Sequence, residues 1–133
     1  MYKAGIITAS DKGSQGLRED KGGPAIREIL SGFADTFEVV DYRIVPDEKV
    51  RLTSAMIDMA DIQKIDLIVT TGGTGFSKRD VTPEATLEVI ERRTPGIPEA
   101  MRSISLAVTM RAMLSRAEAG IRGNSIIINL PGS

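Results

Sequence analysis

Neither histidine nor cysteine occurs anywhere in this sequence. Without cysteine there are no disulfides, no thiolate nucleophile and no thiolate metal site, and no redox compartment can be read from the chain. Without histidine there is no imidazole ligand for zinc and no Ser-His or Cys-His machinery. Any catalysis must use carboxylates, hydroxyls, Lys or Arg, backbone amides and a hard, oxygen-ligated cation such as Mg2+. Tryptophan is missing as well, and three Phe with two Tyr are too few for a base-stacking platform. There is no excess of charge: 17 Lys and Arg stand against 18 Asp and Glu, a formal net charge of -1. That leaves no global basic field for nucleic acid or an anionic membrane, so neither partner is expected. The apolar run in residues 1–10 is too short for a secretory signal, and no run approaches a membrane span. A cytoplasmic protein is expected.

What is present suits a compact soluble fold. The 133 residues, 41% hydrophobic and 26% charged, predict one domain over 1–133. Such a chain buries roughly two-thirds of its unfolded surface. Residues 3–9 form a short apolar run, read as a buried strand, followed by a polar stretch from Ser10 to Gly23. From Pro24, the spacing of Ile26, Ile29, Leu30 and Phe33 predicts a helix. Residues 36–45 read as a strand. Residues 48–63 read as a helix with Leu52, Ala55, Met56, Met59 and Ala60 on one face. Residues 66–71 are the clearest strand, a solid apolar run of the kind expected where both faces are covered. Thr82-Pro83-Glu84 marks a helix start, with Thr82 as capping hydroxyl, and a second helix follows Pro95-Gly96 with Ile97, Met101, Ile104 and Val108 as its apolar face. Residues 117–121 and 125–130 read as a hairpin turning at Arg122-Gly123-Asn124. The methionines at 56, 59, 101, 110 and 113 read as core fillers. This alternation predicts an α/β fold: a three-layer α/β/α sandwich, with a mostly parallel sheet and an antiparallel hairpin near the C-terminus.

Open α/β sheets bind ligands at the carboxyl ends of their strands. Three segments fall there: Ser10-Asp11-Lys12-Gly13, Pro46-Asp47-Glu48, and Thr71-Gly72-Gly73-Thr74-Gly75 through Lys78-Arg79-Asp80. Glycines in the third let the backbone turn tightly and bring amides close to an anion, ahead of a helix whose dipole adds to the field. Lys78 and Arg79 can supply positive charge. The same residues could also be a plain strand-to-helix turn, and the Walker lysine spacing is absent. Asp47 and Asp80 each have a capping alternative, but two carboxylates beside a phosphate cradle suggest Mg2+ held by few protein ligands. Ser10 and Asp11 either line the same crevice or form turns. Arg111, Arg116 and Arg122 read as solvated, or as recruited by an anionic ligand.

The string from Thr71 to Thr86, Thr-Gly-Gly-Thr-Gly-Phe-Ser-Lys-Arg-Asp-Val-Thr-Pro-Glu-Ala-Thr, closely resembles the signature of the molybdenum-cofactor biosynthesis family. The resemblance covers nearly the whole chain, through Ser10-Asp11, Val45-Pro46-Asp47-Glu48, Pro95-Gly96, Ala112-Met113-Leu114-Ser115-Arg116, residues 119–123 and the closing Asn129-Leu130-Pro131-Gly132-Ser133. The Arg-Asp-Val-Thr-Pro-Glu form is more similar to the molybdopterin adenylyltransferase (MogA) branch than to the MoaB branch.

That resemblance implies Mg2+-dependent transfer of AMP from ATP to the terminal phosphate of molybdopterin, with release of pyrophosphate. It implies a homotrimer, or a multiple of it, and a downstream molybdate-insertion protein as partner. Asp47 and Asp80 match the family's catalytic and metal-holding pair. Ser10, Asp11, Thr71, Gly72, Gly73, Thr74, Gly75, Ser115, Pro131, Gly132 and Ser133 match its substrate-binding positions. Lys12 stands where the family often has Arg. Family members continue past this point through another helix, so residues 1–133 are expected to lack a C-terminal helix. Two other readings stay open: a non-catalytic molybdopterin-binding scaffold of MoaB type, and an unrelated nucleotide or phosphate-sugar enzyme with a similar loop.

Overall fold

A computed structural model describes residues 1–132. Six strands form one sheet: β1 (Tyr2–Ala9), β2 (Phe37–Val45), β3 (Leu67–Thr71), β4 (Arg92–Arg93), β5 (Ala119–Arg122) and β6 (Ser125–Leu130). Their order across the sheet is β2-β1-β3-β6-β5-β4. β2, β1, β3 and β6 run parallel, whereas β5 pairs antiparallel with both β6 and β4. The mostly parallel sheet with an antiparallel C-terminal hairpin is therefore as the sequence predicts. β4, only two residues long, carries no pattern that announces it.

Five helices flank or punctuate the sheet: α1 (Asp11–Ser14), α2 (Gly22–Ser31), α3 (Lys49–Ile57), α4 (Thr82–Val89) and α5 (Gly96–Leu106). Six consecutive residues of β1, Ala4 to Ala9, are buried because both faces of this inner strand are covered. Ala4 and Ile6 pack with Val69 against Ile26 and Leu30 of α2. Ile7 and Ala9 join Ile68 and Ile127 against Leu52 and Met56 of α3 and Ala85 and Val89 of α4. The alternation of strand side chains thus feeds two cores and yields three layers.

Several local expectations need correction. α2 begins at Gly22, before Pro24, and its periodic residues split: Ile26 and Leu30 are buried, whereas Ile29 is 66% exposed and Phe33 lies beyond the helix end. The helix over 48–63 keeps its buried face, but after Ile57 it widens into a π turn, Asp58–Ile62. Thr82 is not the cap of α4. Val81 holds that position, and Thr82 is the first helical residue, fully buried with no hydrogen-bond partner on its hydroxyl. In α5 only Pro98 is buried; Ile104 is 74% exposed, and Val108, which lies beyond the helix end at Leu106, is 87% exposed. Met110 and Met113, in the 3-10 turn Met110–Leu114, are likewise exposed and fill no core. The predicted face is only partly covered: Ile97 and Met101 are half-buried, whereas Ile104 and Val108 stay exposed.

Candidate active site

Parallel pairing brings four strand ends to one place. Ala9 lies opposite Val45, Thr8 opposite Thr71, and Thr71 opposite Leu130. The residues that follow these ends surround a cleft of about 620 Å3. Ser10, Asp47, Thr71, Gly72, Gly73, Asp80 and Gly132 line it. Asp11, Thr74, Gly75, Ser115 and Pro131 stand outside that lining, and Ser133 lies outside the described residues.

The turn after β3 requires its glycines. Gly72 and Gly73 both have positive φ, 89° and 72°. A Cβ on Gly72 would stand 2.6 Å from the Ala9 carbonyl, and one on Gly73 would stand 2.2 Å from Thr82 Oγ1 and 3.2 Å from Asp47 Oδ1. Gly75 faces Asp80 instead, its missing Cβ 2.9 Å from Asp80 Oδ2. That same oxygen accepts from the Ser77 N–H at 3.0 Å, which turns the Asp80 carboxylate back over its own loop. Thr74 is buried, and its carbonyl accepts from the Arg116 N–H at 2.9 Å.

Asp47 does not cap α3, because Glu48 occupies the cap position. Asp47 Oδ2 accepts from the backbone N–H of Asp11 at 3.0 Å, and Asp47 Oδ1 is buried with no partner. Burial is the main cause that raises the Asp47 carboxyl above its usual range, and the nearby Asp11 and Asp80 carboxylates add to it. Asp11 moves the other way. Its bonds to the Arg79 guanidinium hold it below the ordinary carboxylate value. Ser10 accepts from the Gly13 N–H at 2.9 Å and so caps α1. Ser115 closes the 3-10 turn, and its carbonyl accepts from Arg102 at 3.2 Å. The Pro131 carbonyl accepts from the Thr71 hydroxyl at 3.2 Å.

Two supporting residues stand outside the candidate site residues named from the sequence, Asp20 unremarked there and Arg116 noted only as part of the 112–116 motif and as a possible anion contact. Asp20 lies on the cleft wall, where its carboxylate accepts from the Thr8 hydroxyl at 2.8 Å, from the Tyr42 hydroxyl, and from the Gly22 N–H at 3.1 Å. Burial, followed by the Asp20 contact, pushes the Tyr42 phenol up to about 12. An aspartate two residues ahead of Gly-Gly-Pro is a readable helix-start signal. Arg116, read from sequence as solvated or ligand-recruited, is a staple. It donates from Nε to the Gly75 carbonyl at 2.7 Å, from Nη2 to the Asp80 carbonyl at 2.7 Å, and from Nη1 to Glu84 at 2.6 Å. Its motif marks the residue, but its acceptors lie far away in the chain, so no local signal shows what it holds.

The donor set suits a hard cation. Among the described residues no group of three or more carboxylates stands together as a complete cage. Two carboxylates, one with an unpartnered buried oxygen, are what Mg2+ takes from a protein when polyphosphate supplies the remaining oxygens.

A mostly parallel sheet whose strand-end loops bring a glycine turn and two carboxylates, Asp47 and Asp80, to one cleft defines an α/β protein with its candidate site at the carboxyl ends of its strands. The chain belongs to the molybdenum-cofactor biosynthesis family (MoCF_biosynth), whose model, described as "Probable molybdopterin binding domain", matches residues 5–133. It is 48% identical to molybdopterin adenylyltransferase of Helicobacter pylori over 96% of this chain and 73% of that protein. With the Escherichia coli K12 enzyme of the same name, identity is 42% over 98% of this chain and 67% of the other. A Thermus thermophilus structure, the molybdopterin biosynthesis enzyme MoaB, superposes with a TM-score of 0.93 at 49% identity, covering all of this chain and 82% of that one.

Proposed function

We propose that the chain is a molybdopterin adenylyltransferase: it joins AMP from ATP to the terminal phosphate of molybdopterin and releases pyrophosphate. The observation that carries this reading is the placement of Asp47 and Asp80 beside the Gly72-Gly73 turn, in a chain 48% identical to an enzyme of that name. A pterin phosphate oxygen attacks the α-phosphorus of ATP, and the bond from that phosphorus to the bridging oxygen of pyrophosphate breaks. The nucleophile is already deprotonated near neutral pH, so the absence of histidine is no obstacle.

Asp47 and Asp80 are the residues that would hold Mg2+, which when bound neutralises charge on the polyphosphate. The glycine turn lets backbone approach the phosphates closely. Arg116 holds that loop in place from behind. Catalysis then rests on positioning and preorganised charge. A non-catalytic scaffold could lose either aspartate, and both Asp47 and Asp80 are present here.

The finer readings are a cytoplasmic location, a homotrimer or a multiple of it, and product handed to a molybdate-insertion protein. Self-association is supported by the large apolar side chains left exposed between residues 104 and 114, Ile104, Val108, Met110 and Met113 among them. Among the described residues no helix is long and apolar enough to cross a membrane. The direct test is incubation with molybdopterin and Mg-ATP, with mass detection of adenylylated pterin and pyrophosphate. Product is expected in stoichiometric amount. A folded chain that binds molybdopterin and yields none would leave the scaffold reading.

A further inference from the structure

The loops after β1, β2 and β3 meet at one side chain, Asp11. The backbone N–H of Asp47 donates to Asp11 Oδ1 at 2.9 Å, while the backbone N–H of Asp11 donates to Asp47 Oδ2 at 3.0 Å. Each aspartate therefore accepts from the other's main chain, a closed pair between the ends of β1 and β2. From the third loop, Arg79 forks onto the same carboxylate, with Nε 2.9 Å from Oδ2 and Nη2 2.8 Å from Oδ1. Both Asp11 oxygens are thereby engaged, which leaves Asp11 poorly suited to contact a ligand. Asp11 acts on Asp47 at two points: its carboxylate accepts from the Asp47 N–H and fixes the main chain that carries that side chain, and its own backbone N–H bonds Asp47 Oδ2. One carboxylate oxygen of Asp47 is tied down and the other, Oδ1, is left without a partner. The orientation of that free oxygen follows from the tie. Arg79 also sets a positive charge on Asp11, near enough to Asp47 to offset part of the repulsion between the two carboxylates.

We propose that Asp11 is a positioning residue for Asp47, and that Arg79 is the cation that holds Asp11 to this task. This rests on the adenylyl-transfer reading, with Asp47 as a metal-holding group. Outer-shell bonds of this kind typically govern metal affinity by about 10–100-fold when removed. Displacing a reacting group by about an ångström costs about 100-fold in rate.

The test uses the full chain and two readouts. Mn2+ binding in the presence of a non-hydrolysable ATP analogue, followed by electron paramagnetic resonance, requires no turnover. Steady-state adenylyl transfer separates kcat from KM. Asp11→Ala is expected to weaken Mn2+ about tenfold and to lower kcat about 100-fold, with KM for molybdopterin within about twofold. Asp11→Asn keeps an acceptor for the Asp47 N–H and is expected to recover most of the loss. Arg79→Gln is expected to weaken Mn2+ less than Asp11→Ala, and combining the two should add nothing, because they act as one unit.

Unchanged Mn2+ affinity in a folded Asp11→Ala chain overturns the proposal. A raised molybdopterin KM with normal kcat also overturns it, since Asp11 would then be touching substrate. If Asp11→Ala does not fold, Asp11→Asn and Arg79→Gln decide: Mn2+ affinity and kcat both at the parent's values in Arg79→Gln would overturn the claim. Should the parent bind Mn2+ with nucleotide yet transfer no AMP, the adenylyl-transfer reading fails, while the Mn2+ arm still judges Asp11.

Discussion

Arg116 and Asp80 are joined through the main chain: the guanidinium donates from Nη2 to the Asp80 carbonyl at 2.7 Å, although 36 residues separate them. Through this bond and the one to Gly75, the segment before β5 holds the glycine loop from behind. Arg116→Met should leave two carbonyls without their donor and loosen Asp80. The expected cost is about 2 kcal/mol in urea unfolding, together with weaker binding of the phosphorylated substrate. Arg116→Lys should recover little, because a single ammonium cannot reach both carbonyls and Glu84 in the fork geometry.

The two glycines should fail differently. At Gly73 a side chain meets Thr82 Oγ1 at 2.2 Å and must also adopt a φ of 72°, so Gly73→Val should destabilise the fold by about 2–3 kcal/mol and abolish pterin and ATP binding. At Gly75 the obstacle is a side chain, Asp80 Oδ2 at 2.9 Å, so Gly75→Ala should fold normally and lose turnover as that carboxylate is displaced. Thermal melts beside kinetics separate the two. Equal loss of stability in both would contradict this division.

Asp47→Asn and Asp80→Asn should each lower turnover by orders of magnitude, while metal-free molybdopterin still binds within about tenfold, or about 1.4 kcal/mol. The double variant should be little worse than either single one, since both serve one ion. Near-normal turnover in both single variants would remove the pair from the chemistry.

Stability against pH should show opposite signs at neighbouring aspartates. Asp47 has its carboxyl raised in the fold, so the folded state binds the proton more tightly than the unfolded one. Its contribution falls as pH rises from the unfolded value near 3.8 through the raised folded value. Asp47→Asn should therefore be more stable than the parent at neutral pH, and the difference should vanish at acid pH. Asp11 is depressed in the fold, so its contribution is present above 3.8 and lost as pH falls through the lowered value. Asp11→Asn should be slightly less stable than the parent at neutral pH, with solvent screening keeping the difference small. Urea midpoints across pH 3–8 test both signs.

Light scattering should give three copies or a multiple of three. Val108→Asp with Met113→Glu, both exposed apolar positions, should shift the chain toward monomer with its fold retained. A parent that is monomeric at micromolar concentration would contradict the trimer.

The alternation of strands and helices, the glycine turn after β3, and the strand-end positions of Asp47 and Asp80 were legible in the order of residues alone. These follow from local causes: apolar period, turn chemistry, and the rule that parallel strands place their following loops at one edge. Sheet order was a tertiary matter. Because β3 lies between β1 and β6, and β2 lies outside β1, the loops bearing Asp11, Asp47 and Arg79 converge and can bond to one another. The role of Arg116 was equally hidden, since its acceptors lie 32, 36 and 41 residues away. The apolar faces of α2 and α5 look alike as patterns, yet α2 partly buries its stripe and α5 leaves most of its own exposed. Periodicity states which side chains share a face. What lies against that face depends on elements distant in the chain, and only the folded arrangement supplies them.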